Sequence, residues 1–537
     1  MGSIWDRTNR NGINNNFDYL FDGVATMNNL NIKADATLLK ADAVLMNAQN
    51  INQSNVDVQN QLDNIILESG TSDAEVVQSR TDSNGNTYPL LKDRLNNIDK
   101  SILSRGANLI DFGAVGDGVT DDTDALKSML ESDFNIFYIP DKKYLIKEKI
   151  EIVRSNFKII SDGVLNFELN GDTCFTVTGD NVDLILKIDG NNLARGGIKV
   201  TGTNITVEKS NLYNFYSETG TAYGVFANNC GRVEIKNNNI SSVHSLGNGT
   251  TGDSIGASRG VWVTNSQDNH TDGVVIKDNN IDGIIGEEGD AIHLINGLPN
   301  PHFKQMVSVV TGNTINNFSR RGIKIQASDV QVSNNIFKEN LDDSTHTARV
   351  IDVIYSSDVV VFNNYVKTKS LNSIGVTTDI SVDSETLVFS NVFTQLNAGT
   401  MLYLSKAKNV TFNSNTFYTV GRFIGIDDSI NVSFTNNTFE SEQTGGSGVG
   451  VNINSLSEKI VFKSNLFNKG HFDWTFQNRS PNSVISDNIS TTEGDGIRTF
   501  ESAEGSLYLN NVFNGVEVYG AGSTEHTLKS YIQTMVN

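Results

Sequence analysis

Proline is nearly missing from this chain, with 5 residues in 537. A residue without a backbone N–H interrupts β-ladders and helix interiors, so its scarcity suits long regular stacks. Cysteine is rarer still: Cys174 and Cys230 are the only two. Both stand in apolar, strand-like contexts, TCFTV and NNCGRV, and are expected as buried free thiols, not as a disulfide. No Cys/His cluster has zinc spacing. No run of about 18 apolar residues occurs, so no membrane-spanning helix is expected. The opening MGSIWDRTNRNG lacks the apolar core of a signal peptide. Positive charge is also in deficit: 41 Lys and Arg face 62 Asp and Glu, for a net charge of −21. Such a surface repels nucleic acid and anionic lipid, so neither nucleic acid nor a membrane is an expected partner. It repels an anionic polysaccharide too, unless local Arg and Lys receive it.

Apolar residues make up 38% of the chain, and with 46 glycines the share is ordinary for a folded protein. Residues 26–70 hold a near-heptad pattern (Leu38, Ala41, Leu45, Ala48, Leu62, Ile66) with polar seam positions at Asn52, Asn55 and Gln59. That pattern predicts a modest, specified coiled coil, which needs partner strands to be stable. With the long acidic domain that follows, it predicts a homotrimer. Residues 71–107 read as a connector: TDSNGNTYP carries a hairpin signal, and LLKDRLNNIDKSILS a short helix. In NLIDFGAVGDGVTDDTDALKSML, a strand and a Gly-rich turn lead to a helix beginning near Asp124, with cap oxygens expected from Thr120–Thr123.

From about residue 200 one pattern dominates. A β-branched alternating stretch ends in Asn, one variable residue and an apolar residue, as in VQVSNNIF, VTFNSNTF and VSFTNNTF. The marker residues are Asn211, Asn239, Asn280, Asn313, Asn335, Asn364, Asn391, Asn415, Asn437, Asn465, Asn488 and Asn511. Most gaps are about 22–28 residues, one coil of three short strands and three turns. Alternating Val, Ile and Phe then stack inward, coil upon coil. The marker Asn is expected at a bend, in the left-handed conformation Asn tolerates, with its amide bonded to the Asn above and below. The fold class is therefore mainly β: a right-handed parallel β-helix with three strands per coil, behind an N-terminal α-helical, trimeric coiled-coil region. Its extent is 108–505, with the last coil and a C-terminal cap at 506–537.

The repeat is stretched twice, to 41 residues between Asn239 and Asn280 and to 33 between Asn280 and Asn313. Insertions on a regular solenoid are loops, and loops carry function. This stretch concentrates Glu287, Glu288, Asp290 and His293, and the next coil adds Arg320, Arg321 and Lys324. Asp268 and Asp272 form a second acidic group one coil earlier. Paired carboxylates can supply the acid and base for cutting a glycosidic bond. On that chemistry Asp290, Glu287 and Asp272 are the catalytic candidates. Glu288, His293, Asp268, Arg320, Arg321 and Lys324 are candidates for substrate binding, the cations as holders of an anionic sugar or a phosphate. Each carboxylate taken singly is more simply a solvated loop charge; the cluster together makes a surface. No calcium loop is evident, so no cofactor or metal is expected, with a divalent cation left open.

NLIDFGAVGDGVTDDTDAL resembles the opening signature of the pectate-lyase-like β-helix superfamily, found in many phage tail spikes and polysaccharide depolymerases. AEVVQSRTDSNGNTYPLLKDRLN looks like a connector of appendage and tail-spike proteins of phages that infect Gram-positive bacteria. The resemblance implies a virion protein made in the host cytoplasm and acting at the host surface. Residues 1–70 would attach it to tail, neck or baseplate proteins. Its partner would be a capsular polysaccharide or wall teichoic acid, depolymerised by hydrolysis sooner than by elimination; the alternative is a receptor-binding protein that only adheres. His270-Thr271-Asp272-Gly273, Gly289-Asp290-Ala291 and Arg321-Gly322-Ile323-Lys324 resemble parts of the polygalacturonase motifs, while the Gly-His-Gly of that group is missing.

Overall fold

The computed structural model describes residues 78–83, 85–103, 106–246, 256–265, 273–296, 308–338, 349–356, 358–370, 372–377, 385–444, 448–513 and 518–520, with positions 58 and 61. The heptad segment apart from positions 58 and 61, and the C-terminal cap beyond 520, lie outside the described residues. The chain divides into two compact units, Met1–Leu103 and Ser104–Asn537. In the first, Thr81 and Thr87 form the antiparallel bridge expected around the Asn-Gly turn, and Leu91–Leu103 is the expected helix.

The second unit is a right-handed parallel β-helix. Its strands fall into three sheets of 16, 15 and 15 strands. The first runs from Ala107–Asn108 to Leu507–Leu509, the second from Asp117–Asp121 to Ile489–Ser490, and the third from Ile150–Ile152 to Val518–Gly520. Successive strands of the chain pass from sheet to sheet, and each pairs in parallel with the strand one coil on, as Ile323 does with Ile292 and Ile351. Period-2 burial follows, as in Phe157–Ser161. Inward rings repeat along the axis at the strand spacing: Phe393, Phe417, Phe439 and Phe467 stack with centroids 5.1, 4.8 and 4.9 Å apart. Cys174 and Cys230 are buried free thiols.

The Gly-Asp-rich opening builds the start of the stack. Asp122 accepts the N–H groups of Val115 and Gly116 at 2.7 and 3.2 Å, and Asp117 those of Val119 and Thr120 at 2.8 and 2.7 Å. The helix that follows, Thr123–Glu131, starts one residue earlier than expected and packs Leu126, Met129 and Leu130 inward. Its end is held by Asp121, which accepts the Thr123 N–H at 3.1 Å, while Asp122 is occupied by the turn.

The asparagine ladder exists, with two corrections. Asn313 Nδ2 donates to Asn335 Oδ1 at 2.9 Å and to the Ile276 carbonyl at 3.0 Å, and the Asn313 N–H reaches the same Oδ1 at 3.0 Å. The arrangement repeats through Asn364, Asn391, Asn415, Asn437, Asn465 and Asn488 to Asn511. Toward the N-terminus, however, the buried members are Asn238 and Asn279, and Ser210 takes the next place. Asn211, Asn239 and Asn280 stand one residue later, in an exposed ladder of 3.0 and 2.8 Å bonds. Asn238-Asn239-Ile240 satisfies the Asn-x-apolar pattern from Asn238, so the doubled Asn conceals the register. Second, the left-handed residue is the one before the ladder Asn. Asn237, Asn334 and Asn436 have φ of 57, 56 and 56°, while no ladder Asn has a positive φ. The bend is taken by a residue whose side chain reaches solvent, and it turns the next amide inward to satisfy buried main chain.

Candidate functional site

The candidate site is built on the outer face of the third sheet. Four neighbouring strands, Ala257–Asn265, Glu288–Asn296, Arg321–Gln326 and Arg349–Ile354, place two rows of side chains outward. One row is Arg259, Asp290 and Arg321; three residues on, the other is Trp262, His293, Lys324 and Asp352. Between the rows, two consecutive residues point inward in each strand: Ala291 and Ile292 are both buried. Small residues permit this bend. A Cβ at Gly260 would lie 2.6 Å from the Ala291 carbonyl, and one at Gly322 would lie 2.6 Å from the Phe337 ring.

Asp290 is the centre, with 0% of its surface exposed. Its Oδ1 lies 3.2 Å from Arg321 Nη1, and its Oδ2 lies 3.3 Å from Arg259 Nη1. Burial alone would raise its carboxyl; the two guanidinium groups outweigh that and hold it well below the usual carboxylate range. Glu288, at the mouth, has a side chain 17% exposed. It lies 2.8 Å from Arg259 Nη2, 3.4 Å from Arg320 Nη1 and 3.6 Å from Lys324 Nζ. Asp352 holds Arg321 Nε at 2.8 Å and Arg349 Nη1 at 3.0 Å. Burial raises the cost of charge at Lys324 and pushes its ammonium below its ordinary value.

His293 is neutral. Its Nδ1 accepts from Arg259 Nε at 3.0 Å, so the proton sits on Nε2, which donates to Gln326 Oε1 at 2.9 Å. Burial and the Arg259 charge together push its value well below that of a free imidazole.

Six of the expected residues thus meet: Glu288, Asp290, His293, Arg320, Arg321 and Lys324. Glu287 stands at the turn before them, where its carbonyl accepts from Arg320 Nη1 at 3.2 Å. Asp268 and Asp272 lie outside the described residues. The chemistry expected of Asp290 changes: a general acid or base must exchange a proton with substrate, and Asp290 is sealed and held ionised by arginines. It serves instead as the counter-charge that fixes Arg259 and Arg321. Sequence reasoning missed Arg259, Gln326, Arg349 and Asp352. Their signal was the aligned set RGVWV, DAIHL, RGIKI and RVIDV, in which the outward residues recur three apart.

Among the described residues the ion network of this face has a polarity opposite to that of the whole chain. The ion-pair network joins five cations (Arg259, Arg320, Arg321, Lys324 and Arg349) to three carboxylates (Glu288, Asp290 and Asp352). Arg349 then crosses Gly375 to lie 5.4 Å from the centroid of Tyr403, two coils further on. A Cβ at Gly375 would fall 1.7 Å from Arg349 Cδ, so only glycine leaves it this path.

Among solved structures the chain is similar to the tailspike protein of E. coli bacteriophage HK620 in complex with pentasaccharide, at 14% identity and a TM-score of 0.48, over 86% of each chain. It is similar to the A-module of the Azotobacter vinelandii mannuronan C-5 epimerase AlgE6, at 14% identity and a TM-score of 0.34, over 78% of this chain and 96% of that one. The Streptococcus pneumoniae surface protein and adhesin PfbA is a third, at 14% and 0.37, over 77% and 99%. At this identity the likeness is one of fold. No family model and no curated protein sequence matches the chain.

Proposed function

We propose that this protein is a phage tail spike or appendage that binds an acidic polymer of the host surface along the outer face of its third sheet. The observation that carries the reading is the surplus of cations, among the described residues, in a largely buried ion network on a chain of net charge −21. Arg320 and Arg349, the arginines of the network most open to solvent and held by Glu288 and Asp352, can take carboxylate or phosphate groups with little loss of side-chain freedom. The phage assignment rests on the resemblance of the 108–126 opening and of the connector before it. On this reading the polymer is a capsular polysaccharide or a wall teichoic acid of a Gram-positive host. The chain works as a homotrimer on the virion, fixed through residues 1–70 to tail, neck or baseplate proteins, and takes no cofactor, a divalent cation being the alternative.

The test is retention of the protein by purified host walls. Retention is expected, with at least a tenfold loss for Lys324→Gln and for walls stripped of their acidic polymer. Equal retention by stripped walls overturns the reading. A second reading, hydrolysis of the bound polymer, is favoured by the exposed edge of Glu288 beside Glu287. Release of reducing ends or phosphate by the wild type, abolished in a Glu287→Gln, Glu288→Gln variant, would establish it; adhesion without release leaves a binding protein only.

A further inference from the structure

Two coils N-terminal to the ion network, the same face changes chemistry. Lys199, Phe226 and Trp262 are register partners on successive strands, and Trp262 is the partner of His293. Phe226 and Trp262 stack at 3.9 Å with planes 10° apart, and Tyr223 meets Phe226 edge-on at 5.4 Å. With Arg195 and Thr221 these residues line a concavity of about 190 Å³. We propose that it is a separate subsite for a single sugar unit bearing an ionised acid group.

Three observations carry this. First, its cations are uncommitted. Among the described residues neither Arg195 nor Lys199 makes an ion pair; Lys199 Nζ instead hangs 5.7 Å from the centroid of Phe226. Each cation of the neighbouring network faces a carboxylate, so a carboxylate or phosphate arriving here meets unpaired charge. Second, the walls are aromatic and the volume suits one ring. Aromatic surface holds the C–H face of a sugar by dispersion and burial, which neither bare phosphate nor a free ion would use. Third, the Trp262 indole N–H is buried with no hydrogen-bond partner among the described residues. A buried donor costs free energy until something accepts from it, and because this N–H is closed to solvent, a tilt of the indole toward the concavity is what would bring it to a ring hydroxyl or acid oxygen. The simpler account, a cross-strand aromatic pair stiffening the sheet, explains the stack but neither the uncommitted cations nor the unpaired N–H.

The shape of the subsite depends on one glycine. The Tyr223 ring lies flat on Gly196, where a Cβ would come within 2.3 Å of it, and the Tyr223 hydroxyl is hydrogen-bonded to Thr173. Alanine at position 196 would push that wall into the concavity without touching a charge.

This inference rests on the third sheet being the polymer-binding face, and the test separates the two. The full-length protein is titrated by calorimetry with tetragalacturonate, with its methyl ester and with a short glucosyl-phosphate oligomer, the two acidic probes separating a carboxylate source from a phosphate one. The same titrations are run on Lys199→Gln with Arg195→Gln, and on Gly196→Ala. At least one acidic probe is expected to bind tenfold or more tightly than the ester. Both variants should lose most of that preference. Trp262 fluorescence should change on binding, a signal removed in Trp262→Phe. Equal binding of acid and ester, no binding of either acidic probe, or full preference in both variants overturns the subsite. Any of these outcomes with wall retention intact would refute the subsite and leave the face; acidic-probe preference without wall retention would do the reverse.

Discussion

Asp290 and Arg321 lie one coil apart, register partners with Oδ1 and Nη1 at 3.2 Å, and neither is open to solvent. Removing one partner of a buried pair leaves the other charge uncompensated. Asp290→Ala should destabilise the β-helix by about 3–5 kcal/mol, read as a lower urea midpoint. A loss within about 0.5 kcal/mol, as for an ordinary surface change, would mean that the network is not closed as described.

Acidification should act through His293 before it acts through Asp290. The imidazole value is depressed in the folded protein, so the unfolded chain takes up the proton first. Stability is full above about pH 6.5 and falls by up to about 1.4 kcal/mol per pH unit below it. Asp290 is also depressed; its contribution is intact above about pH 3.9 and is lost only as pH falls further. Urea midpoints should therefore decline between pH 6.5 and 5, and His293→Gln should flatten that decline. An unchanged slope in the variant would sink the assignment of a neutral buried imidazole.

Asn238 and Asn239 are adjacent but should behave differently. Asn238→Ala removes the amide that bonds the Val207 carbonyl and Asn279 and that receives the Ser210 N–H. Each buried group left unsatisfied costs about 1–3 kcal/mol. Asn239→Ala breaks exposed bonds only and should stay within about 0.5 kcal/mol. Differential scanning calorimetry of the pair decides it, and equal effects would refute the inner and outer ladders.

Gly375→Ala should displace Arg349 from Tyr403 and from Asp352 without strain in the main chain, because Gly375 does not have a positive φ. Wall retention should weaken by about three- to tenfold, the range of one lost charge-assisted contact, with circular dichroism unchanged. Retention equal to wild type would confine the binding track to coils before Gly375.

Lysine and arginine contacts to an acidic polymer should also give a salt-dependent affinity. Retention on walls should fall steeply between about 50 and 300 mM NaCl, as the screening length shrinks to the size of an ion pair. Salt-insensitive retention would point to the aromatic wall as the main source of binding.

The sequence by itself determined the architecture. Alternating Val, Ile and Phe, the recurrent Asn and the near absence of Pro are local features, and each coil repeats them, so nearest-neighbour stacking follows. It also determined the region of the candidate site, because Glu288, Asp290, His293, Arg320, Arg321 and Lys324 crowd into two coils. Tertiary structure alone decided which charge stands beside which. Coil lengths vary, so the backbone ladder between coils sets the register, and that brings Arg259 beside Asp290 and Asp352 beside Arg321. It decided the facing of Asn238 against Asn239, where a shift of one residue exchanges inside for outside. Burial then decided the chemistry: a carboxylate that in sequence resembles an acid–base residue is enclosed between two arginines, and the outward rows beside it carry the cationic surface instead.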